Sequence, residues 1–270
     1  MGKIRKVVIP AAGLGTRLYP LTRGQPKEML PIVDKPVIHY VVEEAVKAGI
    51  EEILIIIGRG KESVINYFDS NNFDSNLDRE YGFDKFPEIF FVRQKEPKGL
   101  ADAINCARGF VGEEPFLVLL GDTIYTTQSK DAVAKQLVKA FESKDAPIIA
   151  VEKIGQSEIK YYGIIDGKKV SDRLWLIKDA VEKPDPKDAP SNMGIAGAYV
   201  LTSDIFNYID RLSKGKNGEY QLTDALKAMA KETEVYGYEF EGRRYDIGTK
   251  ERWIDAFIEF AKGDKKFHSK

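Results

Sequence analysis

Two glycines, an arginine and a lysine near the N-terminus are the residues best placed to do chemistry. The run Pro10-Ala11-Ala12-Gly13-Leu14-Gly15-Thr16-Arg17 follows a short apolar segment, and Lys27 comes soon after it in Pro26-Lys27-Glu28-Met29-Leu30-Pro31. Small residues after a strand let backbone N–H groups come close to phosphate oxygens. Two cations beside such a turn suit a triphosphate. The pattern is not the dinucleotide fingerprint, which needs a third glycine where Leu18 stands. Nor is it a P-loop: in Gly58-Arg59-Gly60-Lys61 the lysine is followed by Glu62, not by Ser or Thr. Asp122 ends the fourth strand-like run, where a carboxylate can reach a ligand-bound cation. Magnesium takes one or two carboxylates together with phosphate oxygens. Glu182 and Lys183 are neighbours in a strand-like stretch. Their side chains are therefore expected on opposite faces.

These residues need strands to position them. Lys6–Ile9, Ile53–Ile57, Ile89–Val92 and Phe116–Leu120 are apolar at successive positions, the pattern of parallel strands buried on both faces. Between them lie helical patterns. Pro36 opens one, carried by Val37, Tyr40, Val41, Glu44, Ala45 and Ala48 and ended near Gly49. Lys61–Phe68 and Leu100–Arg108 are two more. The alternation implies an α/β fold, a Rossmann-like open sheet flanked by helices, with ligands at the carboxyl ends of its strands. Ser70–Phe86 is polar and reads as a long surface loop. Strand-like segments follow at Ile148–Val151, Tyr162–Ile165, Leu174–Ala180, Ile195–Leu201 and Glu234–Phe240. Helical patterns are predicted at Ser203–Leu212, Gln221–Lys231 and from Thr249 to about Lys262. A single domain over 1–270 is expected, with a nucleotide-binding lobe to about 145 and a second lobe on the same sheet after it.

Composition narrows the function. The chain has 270 residues, 43% of them hydrophobic, with 41 basic against 42 acidic side chains. That balance argues against general binding of nucleic acid or membranes. No stretch approaches the roughly 20 apolar residues of a membrane span, and Val7–Ile9 is too short for a signal peptide, so the cytoplasm is the expected compartment. Cys106 is the only cysteine and reads as a small buried thiol. With two distant histidines, His39 and His268, it makes a zinc site implausible. His39 is assigned no role.

The motifs together carry a resemblance. Gly13-Leu14-Gly15-Thr16-Arg17, then Pro26-Lys27-Glu28-Met29-Leu30-Pro31 and Asp34-Lys35-Pro36, look like the opening of the sugar-1-phosphate nucleotidyltransferases. The likeness recurs at Arg93-Gln94, Lys98-Gly99-Leu100-Ala101 and Leu120-Gly121-Asp122. It continues at Tyr162-Gly163, Val181-Glu182-Lys183-Pro184 and Ala189-Pro190-Ser191-Asn192. It ends at Gly218-Glu219-Tyr220-Gln221-Leu222-Thr223-Asp224 and Tyr245-Asp246-Ile247-Gly248. The Glu-Met-Leu-Pro wording is similar to the UTP–glucose-1-phosphate uridylyltransferase (UDP-glucose pyrophosphorylase) branch. Gly99-Leu100-Ala101-Asp102 and Gly121-Asp122 read more like the sister thymidylyltransferases, which use dTTP.

The resemblance implies a fold of the nucleotide-diphospho-sugar transferase type with a sugar-binding second lobe. It implies transfer of a uridylyl group from UTP to glucose 1-phosphate, giving UDP-glucose and pyrophosphate with Mg2+, by a homo-oligomer, a dimer or tetramer. Arg17, Lys27 and Asp122 would be catalytic. The segment Ala11, Ala12, Gly13, Leu14 and Gly15 would cradle the nucleotide, with Gln94 and the backbone of Gly99 reading the base. Gly163, Glu182, Lys183 and Gly197 would hold the sugar phosphate, and Asp246 would be the second metal carboxylate beside Asp122. A glutamine amide carries both a donor and an acceptor. Gln94 is therefore expected to turn to suit uracil or cytosine, leaving the backbone near Gly99 as the main barrier against CTP.

Two rival readings fare worse. A dinucleotide-dependent oxidoreductase needs the missing third glycine and an acid ending the second strand, where Gly58 stands. A regulatory relative without catalysis is expected to lose the cationic or acidic pair, and Arg17, Lys27, Asp122 and Asp246 are all in place.

Overall fold

The computed structural model describes residues 2–69, 75–215 and 218–263. In chain order the elements begin with β1 (Lys6–Ala11), β2 (Pro31–Ile32), β3 (Lys35–Pro36), α1 (Val37–Ala48), β4 (Glu52–Ile57), α2 (Glu62–Phe68) and α3 (Ser75–Tyr81). There follow β5 (Glu88–Arg93), α4 (Leu100–Asn105), α5 (Arg108–Val111), β6 (Phe116–Leu119), β7 (Thr123–Thr126), α6 (Val133–Lys144) and β8 (Ile148–Lys153). The second half holds β9 (Gly163–Lys169), β10 (Leu174–Glu182), β11 (Met193–Leu201), α7 (Ile205–Asp210) and α8 (Leu222–Glu232). It closes with β12 (Tyr236–Glu239), β13 (Arg243–Asp246) and α9 (Lys250–Gly263).

Among the described residues one nine-stranded mixed sheet runs through both halves, in the order β5-β4-β1-β6-β11-β8-β12-β10-β9. The first four strands pair in parallel. Beyond them β11 pairs antiparallel with both β6 and β8. Central strands have neighbours on both edges and helices on both faces, which is why they read as unbroken apolar runs. Val7, Val8, Ile9, Ile53, Ile55 and Ile56 are fully buried. Each such side chain contributes about 1.5–3 kcal/mol by leaving water. β5 departs from the expectation of burial on both faces. It is the sheet's edge, and Phe90 there is 39% exposed.

Helices cover both faces. On one side Val41, Val42 and Ala45 of α1 meet Leu137, Val138 and Phe141 of α6. On the other, Ala101 and Ile104 of α4 join Phe206 and Ile209 of α7 and Leu222 and Leu226 of α8. α1 is amphipathic at helical spacing and stops at Gly49, which takes the left-handed conformation and caps the last turn. The single helix expected over Leu100–Arg108 is two, broken at Cys106 and Ala107. The surface loop expected over Ser70–Phe86 contains α3 and a short 3-10 turn, Phe83–Lys85. Phe83 and Phe86 pack on His39, whose ring bonds Tyr67 Oη at 2.9 Å and Glu43 at 3.2 Å. These aromatic contacts give the segment the apolar anchor that its polar composition conceals. Residues 70–74 and His268 lie outside the described residues. Among the described residues, no helix is long and apolar enough to cross a membrane.

Candidate active site

The parallel strands deliver their loops to one edge of the sheet, and the motif residues gather there. β1 ends at Ala11, whose side chain is buried, 1% exposed. Its successors Ala12, Gly13, Leu14 and Gly15 line a cavity of about 440 Å3 together with Lys27, Gln94, Gly99, Leu100, Leu120, Asp122 and Glu219. Ala11 does not line it, because a residue at the end of a buried strand still points into the core. Gly15 is the turn position that needs glycine: it has φ 65°, and a Cβ there would lie 2.9 Å from Thr22 Cγ2 and 3.3 Å from Lys27 Cβ.

A second cavity, about 230 Å3, is lined by Arg17, Thr123, Tyr162, Gly163, Glu182, Lys183, Gly197, Tyr199, Thr223, Arg244 and Asp246. Leu100, Leu120, Asp122 and Glu219 line both cavities. Asp122 thus stands where the two compartments meet.

The charges at that junction are paired. The Lys27 ammonium makes a short ion pair with the Asp122 carboxylate, both side chains less than a fifth exposed. Burial opposes the charge on each, but attraction wins on both sides. Lys27 is pushed up to about 12 by Asp122 and Glu28, and the Asp122 carboxyl is held below its usual value by Lys27 and Arg17. Both groups stay ionised across the neutral range. Behind them Lys61 pairs with Glu28 at 2.5 Å, the two side chains 6% and 1% exposed. That buried pair ties the Lys27 segment to the start of α2. Removing either partner would strand a buried charge.

Asp246 is brought in by a two-stranded ribbon, β7 with β13, in which it faces Thr123. The Ile247 N–H donates to the Asp122 carbonyl at 2.9 Å. The Asp246 carboxylate accepts the Tyr162 hydroxyl at 2.9 Å and an Arg252 N–H at 2.5 Å. Arg244 pairs with Glu152 at 2.5 Å, its guanidinium 4.2 Å from the centre of the Tyr162 ring. Arg17 is exposed and reaches toward Gly248, beside Asp246; it lines the second cavity and helps hold down the Asp122 carboxyl at the junction of the two.

Glu182 and Lys183 correct an expectation. Regular strand geometry would separate their side chains, yet Lys183 Nζ lies 2.7 Å from Glu182 Oε1. The cause is backbone conformation: Lys183 has φ 46°, left-handed, at the end of β10. The turn brings both side chains to the same cavity. Thr223, which sequence reasoning left without a role, donates its hydroxyl to Glu182 at 2.6 Å. Gly163 lies beside both: a Cβ there would sit 2.8 Å from Thr223 Oγ1 and 3.3 Å from Glu182 Oε2. Gly197 interrupts the β11–β8 register and gives its carbonyl to the Leu120 N–H. Tyr162, Glu219 and Arg244 are further lining residues, two of them inside quoted motifs but carrying no signal of their own.

Gln94 corrects a second expectation. Its Nε2 donates to Asp102 Oδ2 at 2.6 Å and to the Gly99 carbonyl at 3.3 Å. Turning the amide over would set its oxygen against two acceptors, so Gln94 is not free to flip. The Gly99 carbonyl is engaged as well, by Gln94 and by the Ala103 N–H. Gly99 itself has φ 110°, and a Cβ there would lie 2.5 Å from the Tyr220 carbonyl, so no other residue fits without moving the backbone.

Residues 6–263 match the family model described as Nucleotidyl transferase. The chain belongs to the nucleotidyl transferase family. Within it, the chain is 45% identical over 278 residues to UTP–glucose-1-phosphate uridylyltransferase 2 of Staphylococcus saprophyticus, covering 99% of this chain and 96% of that one. It is also 45% identical to the UTP–glucose-1-phosphate uridylyltransferase of Bacillus subtilis, covering 98% and 94%. A crystal structure of UDP-glucose pyrophosphorylase complexed with UDP-glucose superposes with a TM-score of 0.92 at 41% identity, over 97% of this chain and 100% of that one. A putative glucose-1-phosphate thymidylyltransferase from Bacillus anthracis, in complex with sucrose, gives 0.77 at 25%, over 94% of each chain. This nucleotidyltransferase is therefore more similar to those uridylyltransferases than to that thymidylyltransferase.

Proposed function

We propose that the enzyme transfers a uridylyl group from UTP to glucose 1-phosphate, releasing pyrophosphate and forming UDP-glucose. The observation that carries this is the pair of cavities meeting at Asp122. One has a glycine turn, a lysine and an amide at its base end. The other has a carboxylate, a hydroxyl and a lysine suited to a sugar phosphate. The greater similarity to uridylyltransferases supports UTP over dTTP as the nucleotide.

In this reading a phosphate oxygen of glucose 1-phosphate attacks the α-phosphorus of UTP in line. The bond from that phosphorus to the β-phosphate bridging oxygen breaks, and its electrons leave with pyrophosphate. The attacking group is already an anion at neutral pH, since the second phosphate pKa is about 6. No general base is needed, and catalysis rests on alignment and charge stabilisation. Lys27 and Arg17 stabilise the charge that grows on the leaving group. Lys183 offsets repulsion between two anionic substrates, while Glu182, oriented by Thr223, accepts hydrogen bonds from sugar hydroxyls.

The residues present fit Mg2+. Asp122 and Asp246 line one cavity, and among the described residues no group of three or more potential ligands is available to bind a metal alone. Two carboxylates completed by substrate phosphates is a set that magnesium accepts. Bound there, Mg2+ would neutralise charge on the reacting phosphates.

Steady-state kinetics in both substrates test the proposal. Pyrophosphate release from UTP should require glucose 1-phosphate. Lys183→Ala should raise the KM for glucose 1-phosphate by at least about tenfold and leave that for UTP nearly unchanged. Equal effects on both substrates, or release without the sugar phosphate, would refute this division of labour.

A further inference from the structure

The geometry points to Asp102 as the residue that makes this enzyme choose uracil over cytosine, by fixing which end of the Gln94 amide a base meets. The inference rests on the uridylyl-transfer reading above and deepens it. Gln94 directly follows β5, is 5% exposed, and lines the cavity assigned to the nucleotide. Its Nε2 carries two hydrogens, and both are committed, one to the Asp102 carboxylate at 2.6 Å and one to the Gly99 carbonyl at 3.3 Å. The polar group that Gln94 has left to offer a base is Oε1, which accepts and cannot donate.

The pyrimidines differ at the point such an acceptor would read. Uracil and thymine present an N3–H, which donates. Cytosine presents a bare N3, which accepts. An amide held with its oxygen toward the N3 position bonds the first two and sets lone pair against lone pair with the third. A free glutamine would escape that conflict by rotating half a turn. Here rotation would place Oε1 against a carboxylate and a carbonyl, an arrangement with no hydrogen bond to either. Leaving buried polar groups so opposed costs on the order of 1–3 kcal/mol, enough for roughly tenfold to hundredfold discrimination.

Asp102 itself lies on the first turn of α4 and is not among the residues lining the nucleotide cavity. It faces a different hollow, lined by Lys98, Asn105, Asp210, Lys214 and Tyr220. It therefore acts through Gln94 and is a positioning residue. Of the two acceptors it is the nearer by 0.7 Å (3.3 less 2.6). The Gly99 carbonyl is shared with the Ala103 N–H, so it holds the amide less firmly.

The test is the ratio of kcat/KM for UTP to that for CTP, at fixed glucose 1-phosphate and magnesium, in Asp102→Ala. The ratio should fall by about tenfold as the amide is freed to turn. The ratio of UTP to dTTP should stay constant, because thymine shares the N3–H. Asp102→Asn, nearly isosteric and able to donate to a turned amide, should move the UTP/CTP ratio in the same direction and serves if the alanine variant fails to fold. A merely structural role would lower kcat/KM for all three nucleotides together and leave both ratios unchanged, and that result would overturn the inference. Gln94→Ala separates the two levels of the argument. If it lowers the UTP/CTP ratio and the Asp102 variants do not, only the positioning role falls. If it leaves the ratio intact, the base is not read in this cavity and the assignment of the nucleotide site falls with it.

Discussion

Asp122→Asn should lower kcat by at least about a thousandfold while the protein still unfolds cooperatively. Asp122 stands at the junction of the two cavities, where the reacting phosphates of both substrates would meet. It is also the counter-ion of Lys27. Asparagine keeps the shape and one oxygen acceptor but loses the charge. The Lys27 ammonium then lacks its anion, and the proposed magnesium site is left with one carboxylate. Asp246→Asn should act in the same direction, since Asp246 is tied to the Asp122 backbone through Ile247. Single-turnover rates check the chemical step, and circular dichroism with thermal melts checks the fold. Near-normal turnover in either variant, or full activity in EDTA, would remove the metal assignment.

Lys27→Ala and Arg17→Ala should each cost about 3 kcal/mol of transition-state stabilisation, roughly a hundredfold, expressed mainly in kcat. Both cations are proposed to serve charge that appears only as pyrophosphate departs, so removing them should spare ground-state binding. The two differ in setting. Lys27 is largely buried and pinned between Asp122 and the Glu28–Lys61 pair. Its loss leaves the Asp122 carboxylate without its counter-ion, and Lys27→Ala should melt at a lower temperature. Arg17 is exposed, and Arg17→Ala should keep the parent melting temperature. Variants in which only the KM for UTP rose, with turnover kept, would make both residues simple binding groups.

How much of this was legible in the sequence depends on how local each signal was. The apolar runs of β1, β4 and β6 announced central strands because burial on both faces leaves no polar position. The place of the glycine turn was equally readable: it follows β1 directly and lines the first cavity. The ribbon of β7 and β13 was not, because each strand is short, mixed in polarity and separated from its partner by more than a hundred residues. No element was expected over 121–147, although α6 has Val133, Leu137, Val138 and Phe141 at helical spacing. α3 stayed hidden in a stretch whose anchoring aromatics contact a helix far away in sequence.

Within the site, residue identity was legible and orientation was not. Glu182 and Lys183 were both singled out, but strand periodicity pointed them apart, and only the left-handed backbone at Lys183 unites them. Gln94 was singled out as a base reader, but its freedom to flip was judged from its chemistry alone. The acceptors that remove that freedom are contributed across the turn that leads into α4. Thr223 sat inside a quoted motif, yet its contact with Glu182 joins α8 to β10, a pairing no local pattern reveals.

Initial rates with UTP, dTTP, CTP, ATP and GTP, at fixed glucose 1-phosphate and magnesium, test the central claim most directly. UTP should be the best substrate. A single methyl in a pocket gives about 1–3 kcal/mol of discrimination, so dTTP should follow within roughly a hundredfold. CTP should be poorer than UTP by roughly tenfold to hundredfold because it opposes a fixed Gln94 acceptor, and the purine nucleotides should fail on size. A preference for ATP or GTP would contradict the assignment of the base cavity, and dTTP surpassing UTP would make the enzyme a thymidylyltransferase.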